Sequence, residues 1–376
     1  MINNDLFEHR DTLQALNNNS SLNNKLYHIH RSLKSQHDYI DRMSVVLYDR
    51  HTDTLKTYTH STDGPAPLTK YEAKLSQTPS LQEIVKHRSP RVVQNLDVFA
   101  QGQKKHTKQL KTYGFRSSYT LPMYQNDVFM GFLFFNSYRP EPFTAKSLQQ
   151  LDLYAHLVTS IVTNELTNIR TLVNSVKAAR GITHHRDVET GAHTERTAHY
   201  ARLIARGLAE KYSLDDEIIE HIFMFSPLHD IGKIAIPDTI LHKPGKLNAE
   251  EFEIMKTHTS KGRQIINDML SEFGLETIQN ISILGNIAEY HHEAVDGSGY
   301  PKGLSGEDIP IEARISSVAD VFDALTSQRP YKLAWSNSDA INMLKSLAGN
   351  KLDQDCVDIL ISDEAALVNI QKFFQD

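Results

Sequence analysis

The first half of the chain sets short, β-rich apolar runs between polar turns, while the second half repeats apolar positions at helical spacing. Met43-Ser44-Val45-Val46-Leu47-Tyr48 and Leu55 to Thr59 predict two strands across a polar turn at Arg50 to Asp53. Leu81 to Val85 predicts a short helix ended before Pro90, with Arg91-Val92-Val93 as a strand behind it. Ser118 to Met123 and Val128 to Phe135 flank Gln125-Asn126-Asp127 and predict a hairpin. Phe143-Thr144 opens a long helix with Thr144 as its N-cap. From Leu148 to about Ala179 there is neither Pro nor Gly, and Val162, Leu166, Ile169, Val173 and Val176 recur at steps of four and three, an a/d seam. Beyond Gly181, Ala198 to Ala209, Asp216 to Phe225, Ala249 to Leu270 and Ile278 to Tyr290 carry helical periodicity, with Asn248 and Ser213 as caps. Gly and Pro cluster between Asp296 and Pro310 and mark a loop.

The element order over residues 25–165 resembles a GAF-type sensory domain, a central sheet closed by an antiparallel pair and followed by a long exit helix. The Asn-Lys-Phe…Asp-Glu signature of cyclic-nucleotide-binding GAF domains is absent, so the domain is expected chiefly to dimerise or transmit strain. Residues 1–24, Asn-rich from Asn17 to Asn24, are expected to be a mobile segment, 25–147 the regulatory domain and 148–180 a linking helix whose seam joins two copies as a homodimer.

The chain has 376 residues, room for two domains and a linker. Lys plus Arg is 40 against 46 Asp plus Glu, a net −6, which argues against a protein held to a nucleic-acid polymer by phosphate neutralisation. A lone cysteine, Cys356, excludes an internal disulfide, a Cys-rich zinc module and a protein-held iron–sulfur cluster. No signal peptide is visible at Met1-Ile2-Asn3-Asn4-Asp5, and the apolar run Val128 to Phe135 is too short to span a bilayer, so a cytoplasmic protein without a membrane partner is expected.

The 19 histidines change the picture. Glu189 and His193 are four apart and share one face on a helix. His229-Asp230 and His291-His292 are adjacent pairs, His258 lies between them, and Asp320 sits in the apolar run Ile315 to Phe322, where an unpaired carboxylate is expensive. Mixed imidazole and carboxylate sets without sulfur favour harder, redox-capable or hydrolytic divalent metals. Two such cations lower the pKa of a shared water and stabilise both attacking and leaving oxygens at phosphorus. Competing chemistries fail: His292-Glu293-Ala294-Val295 is followed by Asp296 rather than His, Gly245-Lys246 lacks a phosphate-loop context, and no G-x-S-x-G elbow is present.

His193…His229-Asp230…Asp320 resembles the HD phosphohydrolase superfamily, and the run His291-His292-Glu293-Ala294-Val295-Asp296-Gly297-Ser298-Gly299-Tyr300-Pro301 resembles the signature of its HD-GYP branch. His229-Asp230-Ile231-Gly232-Lys233 and Arg329-Pro330-Tyr331-Lys332 fit the same branch, whose members are cyclic-di-GMP phosphodiesterases. The resemblance implies an α+β chain: a GAF-like α/β domain, a long connecting helix and an all-α HD-GYP domain over 181–376. It implies that His193, His229, Asp230 and Asp320 hold one metal, that Asp230 bridges to another, and that His258, His291 and His292 complete the neighbouring site. Glu189 matches the extra glutamate of members with three metals, usually iron, with manganese as the other candidate. Lys233 would act with Asp230 in catalysis, facing the scissile phosphate, while Gly299, Tyr300, Pro301, Arg329 and Lys332 would contact the substrate. Leu352-Asp353-Gln354-Asp355 departs from the family's Phe-Asp-Pro, beyond the site. The implied reaction converts cyclic di-GMP to the linear dinucleotide and, in many members, to GMP. A preference for 3′3′-cyclic GMP-AMP, a non-catalytic dinucleotide receptor, and hydrolysis of another nucleotide remain alternatives.

Overall fold

In the computed structural model, which describes residues 11–64, 71–99, 113–182, 191–276, 278–328 and 334–375, the chain divides into two units, Met1–Leu166 and Thr167–Asp376. The first unit is built on six antiparallel strands: β1 (Arg42–Asp49), β2 (Thr54–Thr62), β3 (Glu72–Lys74), β4 (Arg91–Val93), β5 (Ser117–Gln125) and β6 (Val128–Ser137), in the order β3-β2-β1-β6-β5-β4. The β5–β6 hairpin turns at Asn126 and Asp127, both with positive φ (47° and 64°), the backbone that short-loop hairpins require and that Asn and Asp tolerate.

Helix α1 (Leu22–Lys34) starts inside the segment expected to be mobile. Ser21 accepts from the Asn24 backbone N–H, and Leu22, Leu26, Ile29 and Leu33 form its buried stripe. Helix α2 (Pro79–His87) places Leu81 and Ile84 against Val46, Leu55, Phe132 and Phe134. The long helix α3 (Ala145–Ile182) is capped by Thr144, whose hydroxyl accepts from Ser147 N–H at 3.1 Å. Tyr58 and Tyr119 of the sheet donate to Glu165 and Asp152 of this helix. Val162, Leu166 and Ile169 are buried within the single chain and Val173 is half-buried; the Val176 side chain lies outside the described residues.

In the second unit the described elements are helical: α4 (Gly191–Leu208), α5 (Asp216–Phe225), a short α6 (Asp238–Leu241), α7 (Ala249–Lys256), α8 (His258–Phe273), α9 (Ser282–Tyr290), α10 (Ile311–Thr326), α11 (Asn337–Leu347), α12 (Gln354–Ser362) and α13 (Glu364–Phe373). Their core joins Tyr200, Ile204, Ile222, Phe225, Leu284, Ile287, Ile315, Val318 and Phe322, with Cys356 buried among them. The single helix expected over Ala249 to Leu270 is two, because the Thr257 hydroxyl donates back to the Ile254 carbonyl at 2.6 Å and ends the first. Asp215, not Ser213, caps α5, accepting from Ile218 N–H at 2.8 Å, while Ser213 takes a left-handed backbone (φ 54°). Among the described residues no helix is long and apolar enough to cross a membrane.

Candidate metal centre

Five segments far apart in sequence deliver the charged and imidazole side chains. His193 comes from α4, His229 and Asp230 from the junction of two 3₁₀ turns (Ser226–Leu228 and Ile231–Ala235), and His258 opens α8. His291 and His292 follow α9, and Asp320 lies within α10. The close approach of the His229-Asp230 turn to α8 depends on Gly232, where a Cβ would stand 1.8 Å from the His258 carbonyl oxygen and 2.5 Å from Gly262 N. Any larger residue there pushes Asp230 and His258 apart.

The donors form two adjoining groups. Potential ligand atoms of Asp230, His258, His291 and His292 lie within 4.8 Å of one another, as do those of His193, His229 and Asp320. Asp230 faces both: Oδ1 is 3.2 Å from His258 Nε2 and 3.7 Å from His291 Nε2, and Oδ2 is 3.2 Å from His229 Nε2. Asp320 Oδ1 stands 3.7 Å from His229 Nε2 and 3.8 Å from His193 Nε2. Lys233 Nζ is 2.6 Å from Asp230 Oδ2.

The tautomers follow from what holds the other ring nitrogens. Nδ1 of His229, His258 and His291 contacts the carbonyls of Ser226, Met255 and Ile287 at 2.8, 2.8 and 2.9 Å. A carbonyl only accepts, so each Nδ1 carries the proton, and in a neutral ring Nε2 presents its lone pair to the centre. His193 Nδ1 meets the Asp323 carboxylate at 2.7 Å, with the same consequence. Asp323 is itself held by Arg196 (2.7 Å) and Ser327 (2.9 Å); burial pushes its carboxyl up, but His193 and Arg196 bring it below the ordinary value, so it stays an acceptor.

Electrostatics leaves the centre short of positive charge. Burial disfavours the charged forms of His291 and His292 and lowers both below the usual imidazole value. Burial raises the Asp230 carboxyl, yet Lys233 and the surrounding imidazoles hold it well below the carboxylate range, so it is an anion. Nε2 of His258 and His291 and Oδ1 of Asp230 are buried without a hydrogen-bond partner. Lone pairs facing a carboxylate in a dry pocket repel one another unless a cation lies among them. Imidazole nitrogen with carboxylate oxygen, and no sulfur, fits a divalent transition ion. The residues present therefore fit a metal centre.

A loop roofs one side. Gly299 fits because a Cβ there would lie 2.2 Å from Ala294 N and 2.5 Å from Glu293 Cα. Tyr300, joined to Pro301 by a cis peptide bond, sets its ring 4.9 Å from that of His292, and its hydroxyl is raised by burial. The buried Glu293 carboxylate holds this loop, accepting from Lys302 N–H (2.7 Å) and Leu304 N–H (3.0 Å).

Seven expected ligands, His193, His229, Asp230, His258, His291, His292 and Asp320, thus meet, with Lys233 at their edge and Gly299 and Tyr300 beside them. Glu189, Arg329 and Lys332 lie outside the described residues. Asp323, Arg196 and Glu293 are positioning residues that sequence reasoning missed. Asp323 had a signal, since it stands three positions after Asp320 and so shares its helix face.

Comparison with known proteins accounts for both units. A GAF domain model matches residues 29–162, and an HD domain model matches residues 181–356. The chain combines a GAF domain with an HD domain. The chain is similar to the cyclic di-GMP phosphodiesterase response regulator RpfG of Xanthomonas campestris pv. campestris, with 46% identity over 52% of this chain and 48% of that protein. It is 39% identical to a cyclic di-GMP phosphodiesterase of Thermotoga maritima over 52% of this chain and 50% of the relative. A 3'3'-cGAMP-specific phosphodiesterase 2 of Vibrio cholerae is 40% identical over 54% of this chain and 36% of its own length. The chain thus spans about half, or less, of the length of these curated relatives.

Proposed function

We propose that the HD domain hydrolyses a phosphodiester bond of cyclic di-GMP to give the linear dinucleotide, with GMP as the product if both bonds are cut, under control of the GAF domain. The observation that carries this reading is a single buried carboxylate, Asp230, turned toward two groups of imidazoles with a lysine ammonium on its second oxygen. Three relatives named for cyclic-dinucleotide hydrolysis, at 39–46% identity, supply the substrate class.

Two cations, iron(II) or manganese(II), would be held by His193, His229, Asp230 and Asp320 on one side and by Asp230, His258, His291 and His292 on the other, with Glu189 as the ligand of a third. When bound they supply a nucleophilic water at neutral pH and neutralise charge on phosphorus. The chain's own residues do the rest. The Nδ1 contacts fix each imidazole before substrate arrives, so no rotamer must be found during turnover. Lys233, within the reach of the centre, neutralises a non-bridging phosphoryl oxygen or hands a proton to the leaving ribose oxygen. Gly299, Tyr300 and Pro301 border the substrate, and Arg329 and Lys332 bind its phosphates, Arg329 through a bidentate fork. We place the protein in the cytoplasm, where it would meet a soluble dinucleotide.

A second reading, preference for 3′3′-cyclic GMP-AMP, rests on the 40% identity to a phosphodiesterase named for that substrate. A non-catalytic receptor is disfavoured because seven side chains able to ligate metal gather in two adjoining groups. The deciding experiment loads the anaerobically purified protein with iron(II) or manganese(II), supplies both cyclic dinucleotides in competition and separates the products. Linear GMP dinucleotide formed with the higher kcat/KM is the expected result; no product with either ion overturns the proposal.

A further inference from the structure

At the mouth of the metal centre stands a pair of side chains that the hydrolytic reading leaves without a task. Phe252 is 46% exposed and lies on α7, one turn before Lys256. The two share a helix face at i and i+4. The placement of α7 is firm: Asn248 and Glu251 form a reciprocal capping box, each side chain bonding the other's backbone N–H at 2.8 Å. Its far end runs through Thr257 into His258, so Phe252 and Lys256 are tied to a metal-donor segment.

Lys256 Nζ lies 5.1 Å from the Phe252 ring centroid and 5.7 Å from that of Tyr300. The two rings stand nearly perpendicular, 81° apart with centroids 6.4 Å from each other. Tyr300 in turn lies 4.9 Å from the His292 ring. An exposed aromatic ring with an ammonium over one face therefore begins one aromatic ring away from the donors that would hold the scissile phosphate, and its other face is the one a base can stack on. A nucleoside bridges that span from phosphate to base.

We propose that Phe252 and Lys256 form a purine shelf for the substrate: Phe252 stacks on one base, and Lys256 reads its edge as guanine. The shelf rests on the phosphodiesterase reading above and adds the residues that choose the base. Stacking on an aromatic side chain suits any base, whereas the edge contact is selective. Lysine only donates, guanine offers acceptors at both O6 and N7, and adenine puts an amino donor where guanine has O6. The shelf therefore favours a guanine-containing ring over an all-adenine one. Lys256 also pairs with Glu253 at 2.6 Å, which holds the ammonium beside the Phe252 ring.

The test is titration calorimetry of the manganese-loaded, full-length chain with non-hydrolysable phosphorothioate analogues of cyclic di-GMP and cyclic di-AMP. Phe252→Ala should weaken the guanine analogue about tenfold, while Phe252→Trp restores binding to within about threefold and, in a Trp335→Phe background, shows indole fluorescence quenched by the stacked base. Lys256→Met should narrow the preference for the guanine over the adenine analogue by about tenfold, with metal content unchanged. Wild-type binding that survives Phe252→Ala within twofold overturns the shelf and leaves the phosphodiesterase reading standing. A wild-type chain that binds neither analogue overturns both.

Discussion

Asp230 owes its reach to geometry: one carboxylate oxygen points at His258 and His291, the other at His229 and Lys233. Around it, every imidazole whose partner has been described is held at Nδ1, three by backbone carbonyls and His193 by a carboxylate. That exception is informative, because a charged acceptor makes the opposite ring nitrogen a stronger donor to a metal. Asp323→Asn keeps an oxygen near Nδ1 and removes the charge. It should lower metal affinity about 10–100-fold, measured by competition with a chelator, and unchanged affinity would reduce Asp323 to an ion pair for Arg196. Sequence reading singled out the residues that meet here because most sit in a His-Asp or His-His doublet, at helical spacing from a carboxylate, or in an apolar run. It missed Asp323 because the one signal, its place three residues after Asp320 on the same helix face, does not tell a carboxylate that serves a histidine from a solvated helical acid.

Elements succeed or fail as expectations according to whether local sequence or tertiary contact sets them. The β5–β6 hairpin was legible in Asn126-Asp127, and α5 matches Asp216 to Phe225 residue for residue. The division at Thr257 was not, since helical periodicity runs through it and only a hydroxyl-to-carbonyl bond marks the break. Nor was the role of Gly232 visible, because the atom it avoids belongs to a residue 26 positions later. Gly232→Ala should cost more than about 3 kcal/mol or displace α8, seen as a large fall in Tm together with loss of metal; a stable, metal-replete variant would contradict the packing. In α5, His221 has both ring nitrogens buried without a partner beside Phe225, and burial lowers it from 6.5 to about 4. Its folded-state value lies below its unfolded one, so the stability it permits is complete above pH 6.5 and lost as pH falls toward 4. The loss approaches about 3 kcal/mol below that window. His221→Phe should flatten the fall of Tm between pH 6.5 and 4, and an unchanged slope would place the acid sensitivity elsewhere.

At the scale of the whole molecule, a sheet unit and a helical unit follow from the switch in hydrophobic period near the middle of the chain. Order along the chain was therefore readable, and so were the residue types a metal centre needs, whereas their convergence was not: His193 and Asp320 are 127 positions apart and meet only through the packing of α4 on α10. The central claim is that two cations share Asp230, and the metal-to-protein ratio of anaerobically purified chain tests it most directly. Elemental analysis should give at least two ions per wild-type chain and fewer than one in Asp230→Ala, because one carboxylate serves both. A wild-type ratio of one, or a variant that keeps its ions, would contradict the account.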